Sequence, residues 1–287
     1  MSTIGGSAQM HVSFHGVRGS TPCHGADIGR YGGNTSCVSV SVAGEEPVLF
    51  DLGTGLRYYG LSWPSDEPFR GSCLLSHLHW DHVQGLPFFT PLLRDGSELV
   101  VYAPEQEDGM TPAEVLRSTI CPPLFPVGID DLPGSIDVRV AEPKFRIGGF
   151  DVLACPVRHV GPTCGYRLSH GGASVAYISD HQQPRNPMLV DESVHELCGD
   201  VDLLIHDAQY TPSEFVKKAD WGHCTVEYAV WLAGHVGARR LALFHHDPMH
   251  DDQMLDCLEA AAQMCGASFG VDVFAAYEGL TVDVGAA

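Results

Sequence analysis

Three histidines and one aspartate are concentrated in residues 76–82, which read SHLHWDH. The segment follows a short apolar run that has the character of a buried strand. If that strand continues, His77 and His79 point to one side, because residues two apart share a face of extended backbone. The imidazoles of His77 and His79 could then bind one metal ion. Asp81 and His82 would lie across a tight turn, where they could bind a second ion beside it. Imidazole and carboxylate groups bind zinc, manganese and iron, so the spacing predicts two adjacent divalent metal ions.

Residues 77–82, HLHWDH, resemble the HxHxDH signature of the metallo-β-lactamase superfamily. Further segments resemble that family's other motifs, in the same order along nearly the whole chain. His159, after an apolar strand, resembles the family's third motif. Asp180 resembles the fourth motif, an aspartate that bridges both metals. His245 stands three residues before Pro248 and resembles the fifth motif, with His246 as the alternative.

The resemblance implies a complete set of metal ligands. The first metal is expected on His77, His79, His159 and Asp180, and the second on Asp81, His82, Asp180 and His245. Asp51, at the end of an apolar run, is expected to orient a metal-bound histidine through a hydrogen bond. As a lone aspartate before a glycine turn, Asp51 is equally a candidate cap. Two divalent ions are expected, with zinc as the first choice and manganese or iron left open.

Two further motifs, HDA around Asp207 and GHCT around His223, resemble the HEAT and HST motifs of the ribonuclease Z branch. Asp207 stands where that branch has Glu, and Cys224 where it has Ser. The resemblance implies that Asp207 and His223 act together beside the leaving group, and Asp81 completes the predicted catalytic set. We expect His223 to protonate the departing oxygen. Alternatively, His223 only begins a helix, and the shorter Asp207 leaves the proton-transfer geometry open.

The pattern of apolar residues predicts a mixture of strands and helices. Strands are expected at residues 10–15, 38–42, 48–52, 99–103, 150–157, 164–168, 173–178, 201–205, 240–244, 271–274 and 280–284. Helices are expected at residues 111–120, 225–232 and 251–265, and one could begin within residues 83–93. The resemblance implies the α/β class as one domain, residues 1–287, folded as a four-layer αββα sandwich. Residues 104–135 are expected either to anchor the core or to form a substrate loop over the metals.

Composition limits the partners of this chain of 287 residues. It has 36 acidic and 16 Lys or Arg residues, a formal net charge of −20, and no block of basic residues. Such a charge repels phosphate backbones and disfavours long nucleic acid. Ten cysteines without a CxxC pair favour a reducing, cytoplasmic setting. The N-terminal residues lack a signal-peptide pattern and no run reaches 18 apolar residues, so no membrane association is expected.

These observations predict a dinuclear metal-dependent hydrolase, a phosphodiesterase that cleaves a small cyclic nucleotide or related phosphodiester with water activated by the metals. One alternative is a tRNA 3′-end endonuclease, against which the acidic charge and the missing basic arm argue. Others are a lactone or thioester hydrolase of the same superfamily and a non-catalytic metal-binding sensor domain. The expected partner is a small-molecule phosphodiester substrate, and a homodimer is left open.

Overall fold

Two seven-stranded sheets form the centre of the fold in the computed structural model, which describes residues 9–107 and 109–285. The first sheet contains β1 (Met10–Gly16), β2 (Cys37–Ser41), β3 (Val48–Phe50), β4 (Arg70–Leu74), β5 (Glu98–Ala103) and β6 (Ser135–Val140). The second contains β7 (Lys144–Ile147), β8 (Phe150–Pro156), β9 (Cys164–His170), β10 (Ala173–Ile178), β11 (Leu203–Asp207), β12 (Arg240–Phe244) and β13 (Asp272–Ala275). β14 (Thr281–Val284) returns to the first sheet and pairs with β1.

Seven α-helices connect these strands within the described residues. They are α1 (Gly55–Ser62), α2 (Trp80–Val83), α3 (Pro112–Thr119), α4 (Glu192–Cys198), α5 (Pro212–Lys218), α6 (Val226–His235) and α7 (Asp252–Phe269). The predicted helix starts are found where capping residues stand. Thr111 and Glu114 form a capping box before α3, and the side chains of Thr225 and Asp251 cap α6 and α7. Each cap satisfies backbone N–H groups that the first turn leaves unpaired.

Apolar side chains from both sheets pack against each other and form the central layer of the core. Phe50 of the first sheet stacks on Tyr177 of the second, with ring centroids 4.6 Å apart. β10 is buried on both faces: Val175 and Tyr177 point between the sheets, whereas Ala176 and Ile178 belong to the outer layer with α4 and α6. A third cluster joins α1 and α3 to the outer face of the first sheet. The predicted four-layer αββα sandwich is confirmed.

The main differences from the predicted elements lie at sheet edges and around prolines. β6, β7, α1, α4 and α5 were not predicted, although β6 and β7 alternate apolar and polar residues as half-exposed strands do. Residues 83–93 do not form one helix. α2 ends at Val83, and two 3₁₀ turns follow, Leu86–Phe88 and Thr90–Leu93, each with a proline near its start. Proline lacks the N–H that an α-helix needs, which explains the interruption.

Parallel pairing brings several strand ends to one edge of the sandwich. β3 runs parallel to β4 and β10 runs parallel to β11 and β12, so their carboxyl ends meet on the same side. Among the described residues, none of the helices has the length and apolar character needed to cross a bilayer. The organisation of residues 1–287 as one domain stays a prediction.

Candidate metal centre

The first group of donor atoms comes from three histidines on two sheets. His77 and His79 follow β4, His79 in extended backbone, and their ring centroids are 4.4 Å apart. His159 reaches them from the turn after β8, with its Nε2 atom 3.3 Å from Nδ1 of His79. The His159 Nδ1–H donates to the carbonyl of Gly222 at 2.8 Å, so the lone pair of Nε2 faces the group. This second hydrogen bond is what commonly orients a metal-binding imidazole.

The second group of donor atoms lies beside the first. His82 Nε2 and His245 Nε2 are 3.1 Å and 3.2 Å from Oδ2 of Asp81. His245 adopts a positive φ of 58° directly after β12, which turns its ring inward. The adjacent His246 points elsewhere, because its Nε2–H donates to the carbonyl of Ala276 at 2.9 Å. Of the two histidines that the sequence left open, only His245 joins the group.

Asp180 follows β10 and separates the two groups with its two carboxylate oxygens. Its Oδ1 atom lies 3.6 Å from Nε2 of His159 and 3.9 Å from Nε2 of His77. Its Oδ2 atom lies 3.2 Å from Nε2 of His82 and 3.3 Å from Nε2 of His245. One oxygen therefore faces each group, which is the geometry expected of a carboxylate shared by two cations.

Buried polar atoms without partners show that these groups fit divalent metals. Within the described residues, Nε2 of His77, Nε2 of His82 and Oδ2 of Asp180 are buried and form no hydrogen bond. Buried polar groups are almost always satisfied in folded proteins, so each such atom needs an explanation. All three point into the two groups, and imidazole with carboxylate is a donor set for zinc, manganese or iron.

The charge of the site also favours cations. Burial disfavours the ionised form of Asp180, but the nearby histidines, foremost His245 and His82, outweigh burial and hold its pKa well below the usual range. Burial lowers the pKa of His77 well below its usual value, which keeps that imidazole neutral, as metal binding requires. Burial also acts to lower the pKa of His82, but the carboxylates around it, foremost Asp81, raise it well above the usual value. The carboxylates of the second group therefore attract positive charge, which is a proton on His82 in the metal-free protein and would be a cation when a metal binds.

Asp51 lies beneath the second group and receives four hydrogen bonds. Its Oδ2 atom accepts from His82 Nδ1 at 2.7 Å, from the Tyr177 hydroxyl at 2.7 Å and from the Ser76 hydroxyl at 2.9 Å. Its Oδ1 atom accepts from the backbone N–H of Ser76 at 2.7 Å. The expected contact between Asp51 and a histidine of the metal loop is present, and Asp51 is not a cap. Sequence reasoning missed Ser76 and Tyr177.

Asp207 and His223 form a pair at the edge of the donor groups. His223 Nδ1–H donates to Oδ2 of Asp207 at 2.9 Å and lies 3.7 Å from Oδ1 of Asp180. Asp207 is held by the backbone N–H groups of His181 and Gln209, each at 3.0 Å. The shorter aspartate therefore reaches His223 despite the missing methylene group. The structure brings this predicted pair to the site, and its catalytic role stays a prediction.

A loop after β1 contacts the site at Asp81. The sequence analysis did not predict this contact. The backbone N–H of Ser20 donates to Oδ2 of Asp81 at 2.8 Å. Arg18 is fully buried and donates to the carbonyls of Gly32, Asp247 and His250. A fully buried arginine in a run of glycines carries no sequence signal of its own, because only the folded chain brings those carbonyls to it.

Every residue predicted as a metal ligand belongs to these groups. The family model of the Beta-lactamase superfamily domain matches residues 71–246. This range contains every predicted ligand, from His77 to His245. The chain belongs to the metallo-β-lactamase superfamily. The superfamily predicted from HLHWDH is thereby confirmed, and the chain is a metal-dependent hydrolase. Its histidine and aspartate groups indicate divalent metal ions as cofactors.

Relatives within the superfamily extend over most of the chain. It is 26% identical to a protein named ribonuclease Z from Haloarcula marismortui (strain ATCC 43049), covering 82% of this chain and 86% of that protein. Further relatives that match carry the same name. The fold is similar to that of the metallo-β-lactamase fold protein YhfI from Bacillus subtilis, with a TM-score of 0.72, 18% identity and coverage of 96% and 99%. It is also similar to that of a diphosphatase from the PhnP family, with a TM-score of 0.68, 19% identity and coverage of 95% and 97%.

Proposed function

We propose that the protein is a phosphodiesterase with two divalent metal ions in its active site. The observation that carries this proposal is the position of Asp180, whose two oxygens face two separate groups of donor atoms beside the Asp207–His223 pair. His77, His79 and His159 would hold one ion, and Asp81, His82 and His245 the other, with Asp180 shared. Bound there, the ions would supply an activated water and neutralise charge on phosphate oxygens. Zinc is our first choice, with manganese or iron as alternatives.

The chain's own residues supply positioning and a proton. Asp207 orients His223 through the Nδ1–H hydrogen bond, and the other ring nitrogen, Nε2, would carry the proton for the leaving group. Only 7% of the surface of His223 is exposed, which limits its contact with bulk water. A protonated imidazole there can protonate the oxygen that leaves when a phosphodiester bond breaks. Asp51, itself held by the Tyr177 hydroxyl, keeps His82 in one orientation through a hydrogen bond.

Two substrate classes compete under this proposal. The names of the relatives support RNA 3′-end processing, as in a tRNA endonuclease, better than the small cyclic nucleotide that we expected first. The structural neighbour named a diphosphatase supports a small substrate. The net charge of −20 also opposes a long polyanion. Near the site, Lys218 is paired with Asp247 at 2.9 Å, so its charge is already neutralised in part.

Hydrolysis by purified protein, reconstituted separately with zinc and manganese, tests the proposal. The substrates are bis(p-nitrophenyl) phosphate, 2′,3′- and 3′,5′-cyclic nucleotides, a precursor tRNA with a 3′ trailer, a homoserine lactone and a glutathione thioester. We expect turnover of phosphodiesters that is lost in Asp81→Ala. Cleavage of the tRNA at low enzyme concentration would support the tRNA endonuclease. Turnover of cyclic nucleotides alone would support the small substrate. Activity confined to the lactone or thioester would refute a phosphodiesterase.

A further inference from the structure

An apolar cleft opens directly beside the second group of donor atoms. It has a volume of about 400 Å³, within the range of cavities that hold small ligands. Trp80 and Phe88 form one wall, and Leu124 and Phe125 form the other. The two walls touch where the rings of Phe88 and Phe125 meet edge to face, with centroids 5.8 Å apart.

The cleft adjoins the metal centre. Ser20 lines the cleft and donates its backbone N–H to Oδ2 of Asp81. Trp80 stands between His79 and Asp81 in the chain, so the backbone that positions two predicted ligands also positions the aromatic wall. Ser20 and Trp80 thus place the cleft next to the metal centre.

The chemistry of the lining identifies the kind of group that fits. None of the residues lining this cleft in the described part of the chain is charged, although the chain as a whole is strongly acidic. The other two large cavities, by contrast, are lined by aspartate and arginine side chains, among others. An uncharged cleft neither repels nor binds phosphate, and Ser20 and Gln84 add a few hydrogen-bonding groups. Such a lining is typical of sites that hold a planar, mostly apolar ring.

Large side chains of the cleft are unusually exposed. Trp80, Phe88 and Leu124 expose 54%, 55% and 71% of their surfaces, respectively. Exposed aromatic faces next to a phosphate site are a platform on which nucleic-acid bases stack. Trp80 belongs to the metal-binding segment, Phe88 to the first 3₁₀ turn after it, and Leu124 to residues 104–135, for which a core anchor and a substrate loop were both expected.

We propose that this cleft, formed by Trp80, Phe88, Leu124 and Phe125, binds the heterocyclic base next to the scissile phosphate. The inference rests on the proposed function and deepens it, because it makes the substrate a nucleotide diester. It also assigns a role to residues 104–135, whose part beyond α3 supplies the second wall. The cleft selects the base, while the metal centre acts on the phosphate.

Two diesters with the same leaving group separate base recognition from chemistry. They are the p-nitrophenyl ester of thymidine 5′-phosphate and methyl p-nitrophenyl phosphate, assayed with zinc- or manganese-loaded protein. We expect the thymidine ester to have a kcat/KM at least about tenfold higher, through a lower KM, as one base stacked on an aromatic ring allows. Phe88→Ala and Leu124→Ala should remove this advantage and leave the methyl ester unchanged. Tyr58→Ala, which changes an aromatic residue with 50% exposure on α1, is the matched control.

Calorimetric binding of thymidine 5′-monophosphate and ribose 5-phosphate gives a readout without turnover. The wild type should bind the nucleotide about tenfold more tightly, and Leu124→Ala should lose the difference. An unchanged preference in Phe88→Ala and Leu124→Ala, in either assay, would overturn the base-binding cleft. A wild type that hydrolyses neither diester yet prefers the nucleotide would refute the proposed function and support the cleft.

Discussion

The hydroxyl of Tyr177 donates a hydrogen bond of 2.7 Å to Oδ2 of Asp51, the same oxygen that accepts Nδ1–H of His82 at 2.7 Å. Tyr177 comes from β10 of the second sheet, whereas Asp51 follows β3 of the first. The contact therefore crosses the interface between the sheets and connects their packing with the orientation of a predicted metal ligand.

Removing this hydroxyl should weaken metal binding more than it weakens the fold. Tyr177→Phe should raise the Kd of the second metal about tenfold, since residues that orient metal ligands contribute about 10- to 100-fold to affinity. The loss of one buried hydrogen bond should cost about 1 kcal/mol of unfolding free energy. Competition with a chelator measures the Kd of the metal. Chemical denaturation of the metal-free protein measures the free energy of unfolding. Tyr58→Phe is the control, and equal Kd values for both variants would contradict the link.

Replacing the shared carboxylate should change the number of bound metals. Asp180→Asn should bind at least one ion fewer per chain than the wild type, because a neutral amide cannot balance two cations. Elemental analysis after dialysis measures the ratio, with Asp66→Asn, an exposed aspartate, as the control. About one metal per chain in the wild type, unchanged in Asp180→Asn, would refute the shared ligand.

Gly19 has no room for a side chain. A Cβ atom added there would overlap the imidazole of His245, whereas one added at Gly29 would meet nothing within 4 Å. Gly19→Ala should therefore displace His245, reduce metal content and cost about 1 to 3 kcal/mol of stability. Gly29→Ala is the matched control, measured by thermal unfolding and elemental analysis. Wild-type metal content in Gly19→Ala would show that His245 is not a ligand or that the loop yields freely.

Loss of the predicted proton donor should depend on the leaving group. His223→Ala should slow the hydrolysis of diesters with alkoxide leaving groups by about 10²- to 10⁴-fold, the usual contribution of an acid catalyst. It should slow the release of p-nitrophenolate far less, because that group leaves without a proton. His235→Ala, an exposed histidine on α6, controls for removing an imidazole. Equal losses on both kinds of substrate would argue against the acid role.

Cys224 supports Asp207 through a hydrogen bond from its thiol to the Asp207 carbonyl at 2.9 Å. Burial raises the pKa of this thiol well above its usual range, so it stays protonated and can keep donating. Cys224→Ser preserves a donor and should change stability by less than about 1 kcal/mol. Cys224→Val removes this donor, while His206 Nδ1 still contacts the same carbonyl at 2.7 Å, and should cost about 1 kcal/mol. Denaturant unfolding measures the free energy of unfolding of both variants. Identical losses of that free energy would mean that the hydrogen bond contributes nothing.

Local patterns account for the elements that were predicted correctly. The strands of the inner layers are short apolar runs, and the helices α3, α6 and α7 begin at residues whose side chains cap them. Both signals act over a few residues, so they can be read directly from the chain. Edge strands such as β6 and β7 were missed because half of their residues face solvent, which leaves a weaker apolar pattern.

The spacing within HLHWDH determined, by itself, that His77 and His79 share a side and that Asp81 and His82 follow within a turn, because backbone geometry relates near neighbours. The tertiary structure alone decided which oxygen of Asp180 faces which histidine and that Tyr177 reaches Asp51. It also directed His245, and not His246, into the site. These contacts join residues far apart in the chain, and their geometry follows from how the two sheets pack, which no local pattern records.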